Sequence, residues 1–332
     1  MKCFVTGSTG FLGRHLIAAL RAQGAEVVAL CRKHDAGLAA LGATIALGDV
    51  MDGASVRAAA AGCEGAYHCA GKVSRELADA EPMFRVHVEG TKFVLEALKD
   101  VGVRRVIHAS TSGTVAISSD SEDVRDEGSV TPIELIARWP YYRSKLYAEQ
   151  VALERNRADF AVISVNPSLL LGPGDVHGSS TEDVRKFLEK KLPFAPGGGI
   201  AFVDARDAAT ALVLAMQRGQ AGERYLVNAA NMSLDSFFGR LERLSGVKAP
   251  QVRLPRTSAV LAGVTADLFG RAAKLIGAPN PLDKVSAEMA QFYWYCSSGK
   301  AERDLGWSAR DPNETLADTV ADLRLRGVVW PA

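Results

Sequence analysis

Residues 2–20 read KCFVTGSTGFLGRHLIAAL. The first five are β-prone, and from position 12 onward Leu12, Leu16 and Leu20 recur at the spacing of one helix face. Between strand and helix stand Gly7, Gly10 and Gly13, three residues apart. A bare loop at that point turns tightly and lets the backbone approach a pyrophosphate, which then sits at the positive end of the helix. A glycine pattern alone predicts only a tight turn. In a strand–turn–helix setting it predicts that Gly7, Thr9, Gly10, Phe11, Leu12 and Gly13 line a dinucleotide site.

The stretches AEVVAL, ATIAL, GAYHCA, VRRVIHAS and FAVISV read as further strands, and residues 82–100 and 142–156 carry helical patterns among them. Such alternation predicts an α/β fold: a Rossmann-type doubly wound parallel sheet covered on both faces. Residues 1–166 are assigned to this NAD(P)-binding lobe, with 200–218 returning to it. Beyond Asn166, Gly and Pro cluster in LLLGPGD and LPFAPGGG, and helical patterns dominate. A smaller, mostly helical substrate lobe, discontinuous over 167–332, is the expectation.

The 332 residues carry 39 Lys and Arg against 38 Asp and Glu, with no block of one sign. Nothing in that balance favours nucleic acid or a membrane surface as partner. The longest apolar stretch, Ser258 to Ala278, holds Asp267, Arg271 and Lys274 and reads as an amphipathic helix, not a membrane span. Five cysteines lack any zinc-binding spacing, so no metal is expected and the thiols read as reduced. Met1 runs directly into the first strand without a secretion leader, and the cytoplasm is the expected location.

The end of the second strand discriminates between nicotinamide cofactors, because an acidic side chain there bonds the ribose and repels an added phosphate. Here Cys31 is followed by Arg32 and Lys33, two cations suited to a 2′-phosphate, so NADP(H) is favoured over NAD(H). Asp49 is placed to meet the adenine amino group, or is a plain turn aspartate. In PYYRSK, Tyr141 precedes Lys145 by one helical turn. A free phenol has a pKa of about 10. A neighbouring ammonium favours its anion and equips it to exchange a proton with a substrate oxygen.

TGSTGFLG, GDV, HCAG, VIHASTSGTV and YYRSK occur in the order and rough spacing of the extended short-chain dehydrogenase/reductases, the NAD-dependent epimerase/dehydratase superfamily. The chain resembles that family over nearly its whole length. STSGTV and the basic CRK look most like its dihydroflavonol reductase-like branch. The resemblance implies a catalytic Thr111, Tyr141 and Lys145, with Lys145 also bonding the nicotinamide ribose. The flanking Ser110 and Ser112 leave the hydroxyl register open by one. It further implies cofactor contacts at Val50, Cys69, Ala70, Gly71, Pro167 and Ser168, and substrate contacts at Ser112, Leu169 and Leu170.

His87 stands where the family often has Asn and reads as a satisfied core histidine; His68 and His108 also read as structural. The aromatics of QFYWYC, residues 291–296, either wall an apolar cavity or pack between lobes. The expected activity is NADPH-dependent reduction of a ketone or aldehyde on a small hydrophobic or aromatic molecule. The alternatives are an NAD-dependent nucleotide-sugar epimerase or dehydratase and a non-catalytic NADP-sensing protein. The family commonly dimerises through helices, which implies a possible homodimer.

Overall fold

The computed structural model describes residues 1–192, 194–252 and 284–329. The stretch Ser258 to Ala278 lies outside the described residues. Seven strands form an entirely parallel sheet: β1 (Lys2–Thr6), β2 (Glu26–Cys31), β3 (Thr44–Leu47), β4 (Gly65–His68), β5 (Arg105–Ala109), β6 (Ala161–Pro167) and β9 (Arg224–Val227). Their spatial order is β3-β2-β1-β4-β5-β6-β9, which reverses direction at β1. Both faces are covered, so the central strands are apolar without alternation: Cys3, Phe4 and Val5 are all fully buried.

One face packs Leu16, Ile17 and Leu20 of the helix Phe11–Ala22 and Leu212 of the helix Ala205–Arg218 against β1, β5 and β6. The other face packs Val94, Leu95 and Leu98 of the helix Gly90–Asp100 against Phe4, Val106 and Val162. Ligands of such sheets bind outside the carboxyl ends of the strands, at the point where strand order reverses. Here that point is the crevice between the ends of β1 and β4.

The second lobe carries its own three-stranded sheet, ordered β10-β8-β7 from β7 (Leu169–Leu171), β8 (Gly199–Asp204) and β10 (Ala230–Ser233). Phe187, Phe202, Phe237, Phe238 and Leu316 join it to three helices, Glu182–Leu188, Leu234–Ser245 and Pro312–Leu325. Residues 199–218 divide their strand from their helix. β8 pairs with β7 and β10, whereas the helix Ala205–Arg218 lies on the main sheet beside Phe11–Ala22. The chain then adds β9 to the edge of the main sheet. Among the described residues no helix is long and apolar enough to cross a membrane.

Candidate active site

The glycine loop leaves β1 through Gly7, whose φ of 68° lies in the left-handed region. A Cβ on Gly7 would stand 2.4 Å from the carbonyl carbon of Cys69, and one on Gly13 would stand 2.2 Å from the Gly7 oxygen. The Gly10 amide closes the turn onto the Gly7 carbonyl at 3.0 Å. Gly10 then caps the helix Phe11–Ala22 without any side-chain hydrogen bond, leaving the first-turn amides to an incoming anion. A bare cradle at an uncapped helix start fits the pyrophosphate of a dinucleotide. Phe11 is buried, while Thr9 and Leu12 remain partly exposed.

Arg32 and Lys33 are exposed beyond the end of β2, and Cys31 is buried with its sulfur 3.3 Å from the Ser8 hydroxyl. An acidic group missed in the sequence stands nearby: Asp35 holds the Arg14 guanidinium at 2.5 Å. The Leu38 amide and Arg14 keep the Asp35 carboxyl below its ordinary range, so it stands as a neutralised anion. Asp49 accepts the Met51 amide at 2.9 Å through one oxygen, a turn-forming contact. Val50 packs at the margin of the core formed by Val94 and Leu98. Cys69 and Ala70 pass beside the glycine loop, the Ala70 amide lying 3.3 Å from Thr6 Oγ1. Gly71 faces His87, whose Nε2 would be 3.0 Å from a Cβ there.

Tyr141 and Lys145 belong to the helix Pro140–Leu153, which Pro140 starts. Lys145 is 6% exposed, and its Nζ donates to the Ala109 carbonyl at 2.6 Å, at the very end of β5. Burial pushes its pKa down to about 8, with Glu149 pulling the other way. Tyr141 is partly exposed, and burial, with Tyr142 adding, raises its phenol above the ordinary value. In the cofactor-free protein, desolvation therefore outweighs any help from the lysine. A phenol in that state keeps its proton and is suited to donate it.

Thr111 lies two residues beyond the end of β5 and caps a single 3₁₀ turn, Ser112–Thr114. Of its neighbours, Ser110 is buried and donates its hydroxyl to the Glu149 carboxylate, and Ser112 is buried as well. Thr111 is the partly exposed member of the three. Pro167 and Ser168 are buried at the end of β6, and Ser168 donates to Asn228 at 2.9 Å. Leu169 packs against the second lobe's core and Leu170 against the main core.

His87 lies in a π-helical turn, Arg85–Glu89, which interrupts what the sequence suggested was one helix. Its Nε2 accepts the Lys72 amide at 2.9 Å, so the proton resides on Nδ1 and is donated to Ser144 Oγ at 2.8 Å. Ser144 in turn donates to the Tyr141 carbonyl, and the His87 ring meets Tyr141 edge-on at 5.8 Å. His87 is thus fully partnered. His68 is held by Thr6 and Thr91, and His108 lies beside it at 5.5 Å with neither ring nitrogen hydrogen-bonded among the described residues.

Next to Tyr141 an aromatic wall forms. Tyr142 meets Tyr141 at 5.0 Å and Trp294 at 4.8 Å, while Trp139 touches both Trp294 and Phe292 at 5.6 Å. Within QFYWYC, Phe292 is buried in packing against Trp139, whereas Trp294 stays partly exposed. Arg75, from the loop after β4, reaches Asp183 of the second lobe with two hydrogen bonds of 3.0 and 2.8 Å.

A model of the NAD dependent epimerase/dehydratase family matches residues 3–228. A protein of Synechocystis sp. with a provisional dihydroflavonol 4-reductase name is 31% identical over 98% of this chain and 95% of its own. Sterol demethylase protein B of Methylococcus capsulatus is 32% identical over 99% and 100%. The crystal structure of gox2253 superposes with a TM-score of 0.83 at 27% identity, covering 99% of each chain. With its parallel sheet, family-model match and full-length relatives, the chain belongs to the NAD-dependent epimerase/dehydratase family and is an NAD(P)-dependent oxidoreductase of the extended short-chain dehydrogenase/reductase type.

Proposed function

We propose that the protein reduces a ketone or aldehyde carbon on an apolar, ring-bearing molecule, using NADPH. The observation that carries this reading is the helix face that holds Tyr141 and Lys145 together and ties Lys145 to the residue two before Thr111. In this reading the nicotinamide supplies the hydride. Thr111 holds the substrate oxygen, Tyr141 protonates it, and Lys145 bonds the nicotinamide ribose and offsets the charge that builds on the phenol.

The apolar wall of Tyr142 and Trp294 supports a hydrophobic substrate. So do the fused-ring compounds in the names of the two relatives. Exposed Arg32 and Lys33 support NADPH over NADH. Phe84, Phe93 and Tyr147 are exposed on neighbouring helices and support a homodimer, which sedimentation at micromolar protein would test.

The test is a fluorescence titration of cofactor-stripped protein with NADPH and NADH, followed by Arg32→Ala. The reading expects NADPH to bind at least about tenfold more tightly, and the variant to lose most of that ratio, since one charged hydrogen bond contributes roughly 1.5–3 kcal/mol. Retained NAD with no NADPH preference, and turnover without net NADPH consumption, would indicate an epimerase or dehydratase instead.

A further inference from the structure

The helix that presents Tyr141 and Lys145 carries a third inward-facing residue at the same spacing, Glu149, which is 2% exposed. Its Oε2 accepts the Ser110 hydroxyl, the Asn166 side-chain amide at 2.6 Å and the Thr114 hydroxyl at 3.1 Å. Its Oε1 accepts Arg224 of β9 at 3.2 Å. Ser110 and Thr114 bracket Thr111. The Thr111 carbonyl itself receives the Asn166 amide at 3.1 Å and lies 3.0 Å from the Thr114 hydroxyl.

The backbone of the hydroxyl loop is thus fastened from the helix at two points one turn apart: Lys145 on Ala109, and Glu149 on Ser110 and Thr114. A buried carboxylate with this many donors is retained only where its geometry is satisfied. An aliphatic side chain of equal volume would leave Ser110 and Arg224 without this acceptor and would cost Asn166 one of its hydrogen bonds.

We propose that Glu149 is the positioning residue of this active site: it sets the loop that carries Thr111, and it is the anion that keeps Lys145 cationic. The assignment rests on the catalytic reading of Thr111, Tyr141 and Lys145 given above. The titratable groups that act on Lys145 are Glu149 one turn along its own helix, His68 and Cys69 at the end of β4, His108 on β5 and His87 on the π turn. Burial holds the three histidines neutral and raises the Cys69 thiol to about 12, which leaves Glu149 as the anion acting on Lys145 among the described residues. Arg224 works in opposition, because it draws on the same carboxylate from the far side.

The test needs no substrate. Protein labelled with ¹³C at the lysine ε-carbons is titrated by NMR, with Lys145 assigned by the signal lost in Lys145→Arg. Glu149→Gln is expected to lower the Lys145 midpoint by about one pH unit or more, the usual effect of removing an opposite charge at close range. Arg224→Met, which frees Glu149 of its competing cation, is expected to raise it. Shifts of opposite sign are beyond a merely structural role.

A folded Glu149→Gln whose Lys145 midpoint is unmoved would overturn the proposal. If that variant does not fold, Arg224→Met decides alone, a rise supporting the proposal and no change overturning it. Activity of Tyr141→Phe tests the catalytic reading separately, so the two failures are distinguishable.

Discussion

Lys145 Nζ lies 2.6 Å from the carbonyl oxygen of Ala109, which fixes the helix of the tyrosine to the end of the strand that leads into Thr111. The contact crosses 36 residues of sequence and explains how a buried ammonium is tolerated: it has a strong acceptor beside it and a carboxylate one turn further along.

That burial predicts a pH profile. The folded Lys145 pKa of about 8 means that its charge is lost as pH rises through that value. Reductase activity that depends on the ammonium falls on the alkaline side with a midpoint near there. Stability moves in the opposite sense. Between the folded value and the ordinary lysine value of about 10.4, the unfolded chain binds a proton that the folded chain does not, so Lys145 makes the protein more stable as pH rises through that window. Initial rates and thermal melts from pH 6 to 10 read both limbs.

Acid acts through the histidines. Burial lowers His68 to about 3 and His87 to about 2, and also depresses His108. Each depressed base contributes stability that is fully present above the unfolded value of about 6.5 and is lost as pH falls toward the folded value. The slope approaches about 1.4 kcal/mol per pH unit for each histidine. Urea midpoints at pH 7, 6 and 5 are expected to fall progressively, and replacing His108, whose ring nitrogens make no hydrogen bond, with Leu is expected to flatten that fall.

The glycine loop, which fits a pyrophosphate, tolerates no side chain at its centre. A methyl at Gly13 meets the Gly7 oxygen at 2.2 Å, a backbone atom that cannot rotate away. Gly13→Ala is expected to displace the loop, cost roughly 1–3 kcal/mol of stability and weaken NADPH binding by at least about tenfold. Gly24→Ala serves as a control: a Cβ there meets nothing within 4 Å, so any cost comes from its φ of 74° and leaves cofactor binding alone.

Legibility in the sequence followed the distance over which each feature is encoded. The glycine loop and each strand are local patterns, readable from fewer than about twenty residues, whereas Tyr141 and Lys145 stood out from an ordinary helix only beside the glycine loop and the Ser/Thr turn upstream. The small sheet was not, because β7, β8 and β10 are short and pair across the boundary between lobes. The π turn at Arg85–Glu89 was hidden inside a stretch whose composition reads as helix throughout. Glu149 looked like any polar helix residue. Its role depends on Ser110, Asn166 and Arg224, which converge on it only in the folded chain.

The most direct measurement is NADPH oxidation by wild type and Tyr141→Phe across a panel of aryl and alicyclic ketones, with cofactor affinity measured on both proteins. Loss of the phenolic proton donor is expected to lower turnover by about 10²–10⁴, while NADPH binds both proteins within a few-fold. Near wild-type turnover in Tyr141→Phe would contradict the assignment of Tyr141 as the acid and, with it, the proposed mechanism.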